Sequence, residues 1–272
     1  MKKPKVLRPV FPNAGLQVKY RRRLDAMIDA MHASFTKWVL AAYRADPPAM
    51  QKLAQDQASL ALDAAKSKTR AQKVVDELTK RWLDNFDEGA ERLAAYFAKA
   101  AGKRSDAQLR KILQDAGFSI DFEMTAAQRE ILASAVAENV GLIKSIPEQY
   151  LKDVQVHVAS AVQTGMDVGG LSKKLEQSYG VSKRRAKIIS LDQNTKITSA
   201  FTRSRQLEIG AEQAVWKHSH AGKKPRPTHV KNDGELYDVR LGWLDPAVGE
   251  RIFPGQLINC RCTSRTVIPG FI

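Results

Sequence analysis

The stretch Trp216-Lys-His-Ser-His-Ala-Gly-Lys-Lys-Pro-Arg-Pro-Thr-His229, followed by Asn232-Asp-Gly-Glu-Leu-Tyr237 and Phe253-Pro-Gly-Gln-Leu-Ile-Asn-Cys-Arg-Cys262, decides how the chain is read. Three of the five histidines and both cysteines of the chain fall between His218 and Cys262. Turn dipeptides punctuate this stretch, whereas the sequence before about residue 212 has long runs at helical period. The abrupt change predicts an α+β chain: predominantly long α-helices followed by a small β-rich C-terminal module.

Within the module, Ala214 to His218 suits a strand and Gly222 to Pro227 a basic loop. Asn232-Asp233-Gly234 is a turn leading into a second strand, Glu235 to Val239. Phe253-Pro254-Gly255 is a further turn, and Ile258 to Val267 has room for a last strand. Asn259 belongs with the residues that shape these turns.

Upstream, Pro4, Pro9, Pro12, Asn13 and Gly15 oppose a helix and predict an extended arm over residues 1–19. From Tyr20 a helical stripe begins, through Leu24, Met27, Ile28, Met31, Phe35, Trp38, Val39 and Ala42, until Asp46-Pro47-Pro48 stops it. A second helical region runs from about Ala49 to Ala101, with Val74, Val75, Leu78, Trp82, Phe86, Leu93 and Phe97 as its apolar face. Trp38 and Trp82, at helical spacing, read as core. Gly102 is expected to stop this helix and Ser105 to cap a short one that ends before Gly117. Thr125 and Gln128 have the spacing of a capping box. Pro147 fits the first turn of a helix ending near Gly165. Leu171 to Tyr179 reads as another short helix, Gly180-Val-Ser182 as a turn, and Lys183 to Glu208 as a last helix closed by Gly210.

The 272 residues suit two domains better than one, and 43% hydrophobic content supports real cores. No apolar run approaches the roughly 18 residues of a membrane span, and no apolar segment follows the basic N-terminus as in a secretory signal. Two cysteines make no disulfide framework, which suggests a reducing cytoplasm.

The net charge of +15 sits at the two ends. Residues 1–24 carry eight bases and no acid, residues 25–180 have a net −1, and residues 181–272 a net +8. Such ends attract a polyanion or an acidic protein surface. Lys2, Lys3, Lys5, Arg8, Arg21, Arg22 and Arg23 at the start, and Lys223 and Lys224 in the basic loop, are the candidates for contact with nucleic acid or an acidic partner.

Cys260 and Cys262, two apart on a strand, would face one side, and they cannot easily meet disulfide geometry. Two same-side thiolates are half of a tetrahedral zinc site. His229 is then the leading third ligand, with His218 or His220 for the fourth. A cluster of buried small side chains without a metal is the competing reading. Catalysis is a third: histidines as acid and base, with Lys223, Lys224 and Arg226 on phosphate, would make a nuclease. No carboxylate cluster, Walker A loop or nucleophile elbow accompanies them, so an enzyme is not expected.

Trp216 to His220, Arg226 to His229, Gly234 to Tyr237 and Pro254 to Cys262 together resemble the tailed-phage head morphogenesis family, the minor head proteins related to protein F of phage Mu. Ile143 to Tyr150, Gly180 to Ala186 and Asp192 to Lys196 are similar to it as well. The resemblance covers residues from about 125 to 272. It implies a minor component of the virion, made in the host cytoplasm, present in several copies and associated with the portal protein and other head proteins. Its work would be head assembly, DNA packaging or ejection. It also divides the chain into a basic arm (1–19), a variable helical region (20–122), the helical part of the head-morphogenesis domain (123–212) and the compact module (213–272). Many relatives carry Cys-x-x-Cys where this chain has Arg226-Pro-Thr-His229. Trp216 and Tyr237 are expected in the local core, Arg226 and Arg261 as residues reaching toward a partner. A DNA-binding protein packaged with the genome is the alternative within the virion.

Overall fold

A computed structural model describes residues 4–54, 68–220, 222 and 224–268. Lys2, Lys3 and Lys223, and part of the helix expected from Ala49, lie outside the described residues. The elements, in order, are β1 (Lys5–Val6), α1 (Ala14–Ala45), α2 (Ala49–Ala54), α3 (Arg70–Asp115), α4 (Ala126–Thr164) and α5 (Val168–Glu208), then β2 (Gln213–Lys217), α6 (Pro227–Lys231), β3 (Leu236–Asp238), β4 (Trp243–Asp245), β5 (Glu250–Ile252) and β6 (Thr263–Ile268). The expected class, α+β with long helices before a small β-rich module, is the one observed. The chain divides into two units, one of Met1–Tyr20, Leu93–Asn139 and Ile188–Ile272, the other of Arg21–Arg92 and Val140–Lys187.

The second of these units contains helices and no strand among its described residues. Leu24, Ile28, Met31, Phe35 and Val39 of α1 are buried at the expected three and four residue spacing. Val75, Leu78 and Phe86 of α3, Ile143, Ile146, Tyr150 and Val154 of α4, and Leu171 and Leu175 of α5 are buried likewise. Trp38 departs from expectation: it is 51% exposed, with the Lys37 ammonium 4.9 Å over its ring. Leu171 to Glu208 is one helix, not two with a turn at Gly180. A helical glycine costs about 1 kcal/mol, and the burial of Leu175, Ser178, Ser182 and Ala186 around Gly180 exceeds that cost. Pro147 likewise lies inside α4 and does not begin a helix.

The first unit holds the N-terminal segment, the ends of the long helices and all the strands. Helix α1 starts earlier than expected because Asn13 caps it, its side chain accepting the Leu16 N–H at 2.8 Å. The extended segment before it is docked. β1 pairs antiparallel with β6, and Leu7 and Val10 pack with Leu109, Ile112, Leu113 and Ile268.

Gly102 and Ser105 do not mark a break in α3. A Cβ on Gly102 would lie 2.5 Å from the Phe201 ring, so the missing side chain lets α5 approach. Ser105 faces the same helix, its hydroxyl 3.3 Å from that of Thr202. The expected stop at Gly117 is present, with positive φ and Phe118 N–H bonded to Leu113 O at 2.9 Å. The capping box is also present: Thr125 N–H donates to Gln128 Oε1 and Gln128 N–H to Thr125 Oγ1, each at 3.3 Å.

The sheet order is β1-β6-β2-β3, with β4 and β5 as a separate antiparallel pair. Each pairing within the four-stranded sheet is antiparallel. The last strand begins at Thr263, so Cys260 and Cys262 precede it rather than lying on it. The β4–β5 pair and the short helix α6 are additions to the elements expected from the sequence.

Candidate metal centre

Four short elements bring the site together. β2 carries Trp216 into the core of the module, and His218 follows its end. Pro227 at the first position of α6, where a missing N–H costs nothing, starts the turn that buries His229. The Pro254-Gly255 turn seats against α5: Gly255 has positive φ and its Cβ position lies 3.0 Å from Thr195 Cγ2, and the Pro254 carbonyl accepts the Ser199 hydroxyl. Asn259, at φ 60°, donates its N–H to the Asp192 carboxylate at 2.8 Å. That seating sets the direction in which Cys260 and Cys262 leave the turn.

The result is a buried triad. His229 Nδ1 lies 3.5 Å from Cys260 Sγ and 3.6 Å from Cys262 Sγ, and one ligand atom from each of the three falls within 4.8 Å of the others. The three residues are 2%, 4% and 2% exposed. His229 Nε2 faces Asp245 Oδ2 at 3.2 Å. A carboxylate can only accept, so Nε2 carries the proton and Nδ1 turns its lone pair toward the sulfurs. This is the outer contact that orients a metal-binding imidazole. Burial would raise the Asp245 carboxyl, but the Ala247 N–H, the Thr228 hydroxyl and His229 hold it below the usual range.

The thiols are unequal. A hydrogen bond from Cys262, with the contact to His229 and the N–H groups of Cys262 and Gly255, lowers the Cys260 thiol against the effect of burial. The contact with Cys260, then burial, raises Cys262. The Trp216 indole N–H, buried and without another acceptor, acts in the opposite direction on Cys262, together with Ser219 N–H. N–H donors are therefore aimed at both sulfurs, the arrangement that suits two thiolates held by a cation. Indole rings wall the site: Trp216 meets His229 edge-on at 5.2 Å and Trp243 at 5.2 Å. His229, Cys260 and Cys262 can hold a metal ion.

The other two histidines of the module are not part of this triad. His220 is paired with Asp233 at 2.7 Å. His218 is buried and its Nδ1 accepts the His220 N–H at 3.1 Å. Burial, then the neighbouring His220, lowers the His218 pKa. Asp233 also receives His218 N–H at 2.9 Å and Lys217 Nζ at 3.2 Å.

Trp216 and Tyr237 are core residues as expected, with Ala214, Val239 and Ile252 around them. Gly234 turns the chain, its N–H bonded to Trp216 O at 2.9 Å. Arg226 reaches the Ile258 carbonyl at 2.9 Å, and Lys224 and Arg261 are exposed. Of the N-terminal cations, Lys5 donates to Ala116 O at 2.6 Å, Arg8 pairs with Asp115 at 2.5 Å and Arg21 with Asp25 at 3.4 Å. Arg22 and Arg23 are exposed. Asp245 is the residue that sequence reasoning missed. Its signal was slight, an Asp-Pro pair opening a turn that Gly249 closes, with nothing to connect it to His229.

Fold and site together define a helical chain that ends in a small β-rich module built around a buried Cys-Cys-His cluster. Residues 152–265 match the profile of the family described as Phage Mu protein F like protein, which supports the resemblance to head morphogenesis proteins. The matched span contains every candidate residue of the module, from Trp216 to Cys262. The chain is also 30% identical, over 139 residues, to an uncharacterized protein of Haemophilus influenzae. That alignment covers 51% of this chain and 30% of the relative's length. No solved structure matches.

Proposed function

We propose that this chain is a minor head protein of a tailed phage or prophage, associated with the portal vertex and other head proteins and acting in head assembly. It is present in several copies in the virion and is assembled in the host cytoplasm. The observation that carries this reading is the family match over residues 152–265, which takes in the last third of α4, all of α5 and the module through Arg265. The site adds to it. The triad is buried in the module's own core, where a bound ion would brace the fold. Residues 123–212 and 213–272 would form the head-morphogenesis part of the chain.

The ion we infer is zinc. Two thiolates and an imidazole suit a borderline-soft divalent cation of tetrahedral preference. His229 Nδ1, Cys260 Sγ and Cys262 Sγ would hold it, Asp245 would fix the imidazole, and Trp216 would donate to one sulfur. Bound there, zinc would tie α6 to the segment before β6.

DNA contact through the basic N-terminus has less support, because Lys5 and Arg8 are already engaged within the chain. Among the described residues no helix is long and apolar enough to cross a membrane.

Co-expression with the portal protein of the same genome tests the proposal. The chain should copurify with portal and appear in procapsids at a fixed ratio. Procapsids that assemble and package normally, with none of it present, would overturn the reading.

A further inference from the structure

We infer that the metal position framed by His229, Cys260 and Cys262 is completed from outside the chain, by an oxygen of a phosphate group seated in the adjoining cavity. This rests on the zinc reading above. Tetrahedral zinc needs a fourth donor, and three ligand atoms converge among the described residues.

The neighbours that might supply the fourth are committed elsewhere. His220 Nε2 is held by Asp233 at 2.7 Å. Asp245 lies behind His229, on the ring nitrogen turned away from the sulfurs. His218 accepts the His220 N–H at Nδ1, 3.1 Å away. Its proton therefore sits on Nε2, which makes that nitrogen a donor and not a lone-pair ligand.

The triad opens onto a cavity of about 210 Å³ whose wall also includes His218, Lys224, Arg226, Asn259 and Arg261. At roughly 30 Å³ per water, the space admits a phosphate group with several waters. Two thiolates cancel the charge of the ion, so the cavity's charge is that of its rim. Lys224, Arg226 and Arg261 are cationic, and no carboxylate lines it among the described residues. Arg226 is held in place by its bond to the Ile258 carbonyl at 2.9 Å, leaving further N–H groups to donate. Cations from two separate loops, with an imidazole N–H beside them, suit an anion with oxygens in several directions better than a planar carboxylate.

The full chain loaded with cobalt in place of zinc tests this. Inorganic phosphate and, separately, a short single-stranded DNA are titrated while the cobalt absorption and phosphorus relaxation are followed. Saturable changes in both signals are expected. Arg226→Ala and Lys224→Ala should each weaken phosphate about tenfold, the loss of one charge-assisted hydrogen bond, with one metal per chain retained. A response to inorganic phosphate alone assigns the site to the free anion. A tighter response to DNA assigns it to the phosphodiester.

A cobalt spectrum indifferent to phosphate, and altered by His218→Ala, would overturn the inference and make His218 the fourth ligand. Equal response to acetate would overturn the choice of phosphate. A chain that binds no metal, while Cys260 and Cys262 are reduced, would sink the zinc reading itself and this inference with it.

Discussion

His229 presents its Nε2 3.2 Å from Asp245 Oδ2, and that contact determines which ring nitrogen faces the two sulfurs. Asp245 is wholly buried and lies on β4, a different element from those carrying the thiols. Asp245→Asn would supply an amide in place of the carboxylate and favour the wrong tautomer. Zinc affinity should fall about 10- to 100-fold, read by competition with a chromophoric chelator. An unchanged affinity would mean that the carboxylate does not orient the ring.

Gly102 supports the close approach of α3 and α5 in the first unit. Gly102→Ala puts a methyl 2.5 Å from the Phe201 ring, and overpacking of this kind costs about 1–3 kcal/mol. Urea unfolding should show the loss. In the Phe201→Leu background the same substitution should cost less, because the atoms it strikes are gone.

Arg205 is buried in α5, bonded through Nε and Nη2 to Asp106 at 3.0 and 2.7 Å and through Nη1 to Glu208 at 2.6 Å. Asp106→Ala leaves a buried guanidinium short of its bidentate partner, and breaking such a pair costs about 3–5 kcal/mol. Thermal unfolding should show a larger loss for Asp106→Ala than for Arg8→Ala, which removes an exposed pair with Asp115 worth roughly 0–1 kcal/mol.

Acid should act through Asp233. Burial would raise its carboxyl, but the His218 N–H, His220 and Lys217 outweigh that and lower it from 3.8 to about 2. A carboxylate with a depressed folded pKa contributes stability above its unfolded value, and this is lost as pH falls through the folded one. The contribution is therefore full above about pH 4 and fades toward pH 2. Asp233→Asn should be less stable than the parent at pH 6, with the difference shrinking across that window when unfolding is followed by circular dichroism. A constant difference would exclude the linkage.

The helices were legible where periodicity and caps agreed. The burial of Leu24, Ile28, Met31 and Phe35 and the Thr125–Gln128 box follow from spacing and side-chain chemistry. Breakers misled where tertiary packing overrode local preference. Gly102 permits a close contact with Phe201, and the helix passes Gly180 because its neighbours are buried. Asn13 was a cap concealed among residues that oppose helices. At the site, two cysteines two residues apart named the sulfurs, and a lone His229 named the nitrogen. Their convergence depends on the Pro254-Gly255 turn resting on Thr195 and Ser199, a long-range contact that local pattern does not contain. Asp245 was invisible for the same reason. The basic arm read as an extended segment because its charge and prolines are visible in sequence, whereas its pairing with β6 is not.

The zinc ion proposed for the triad would be held between α6 and the segment before β6. Elemental analysis of the reduced, purified full chain measures this directly. One zinc per chain is predicted for the parent and near none for the Cys260→Ser, Cys262→Ser double variant. A folded parent free of metal after preparation in zinc-containing buffer, with a melting temperature indifferent to added zinc, would contradict it.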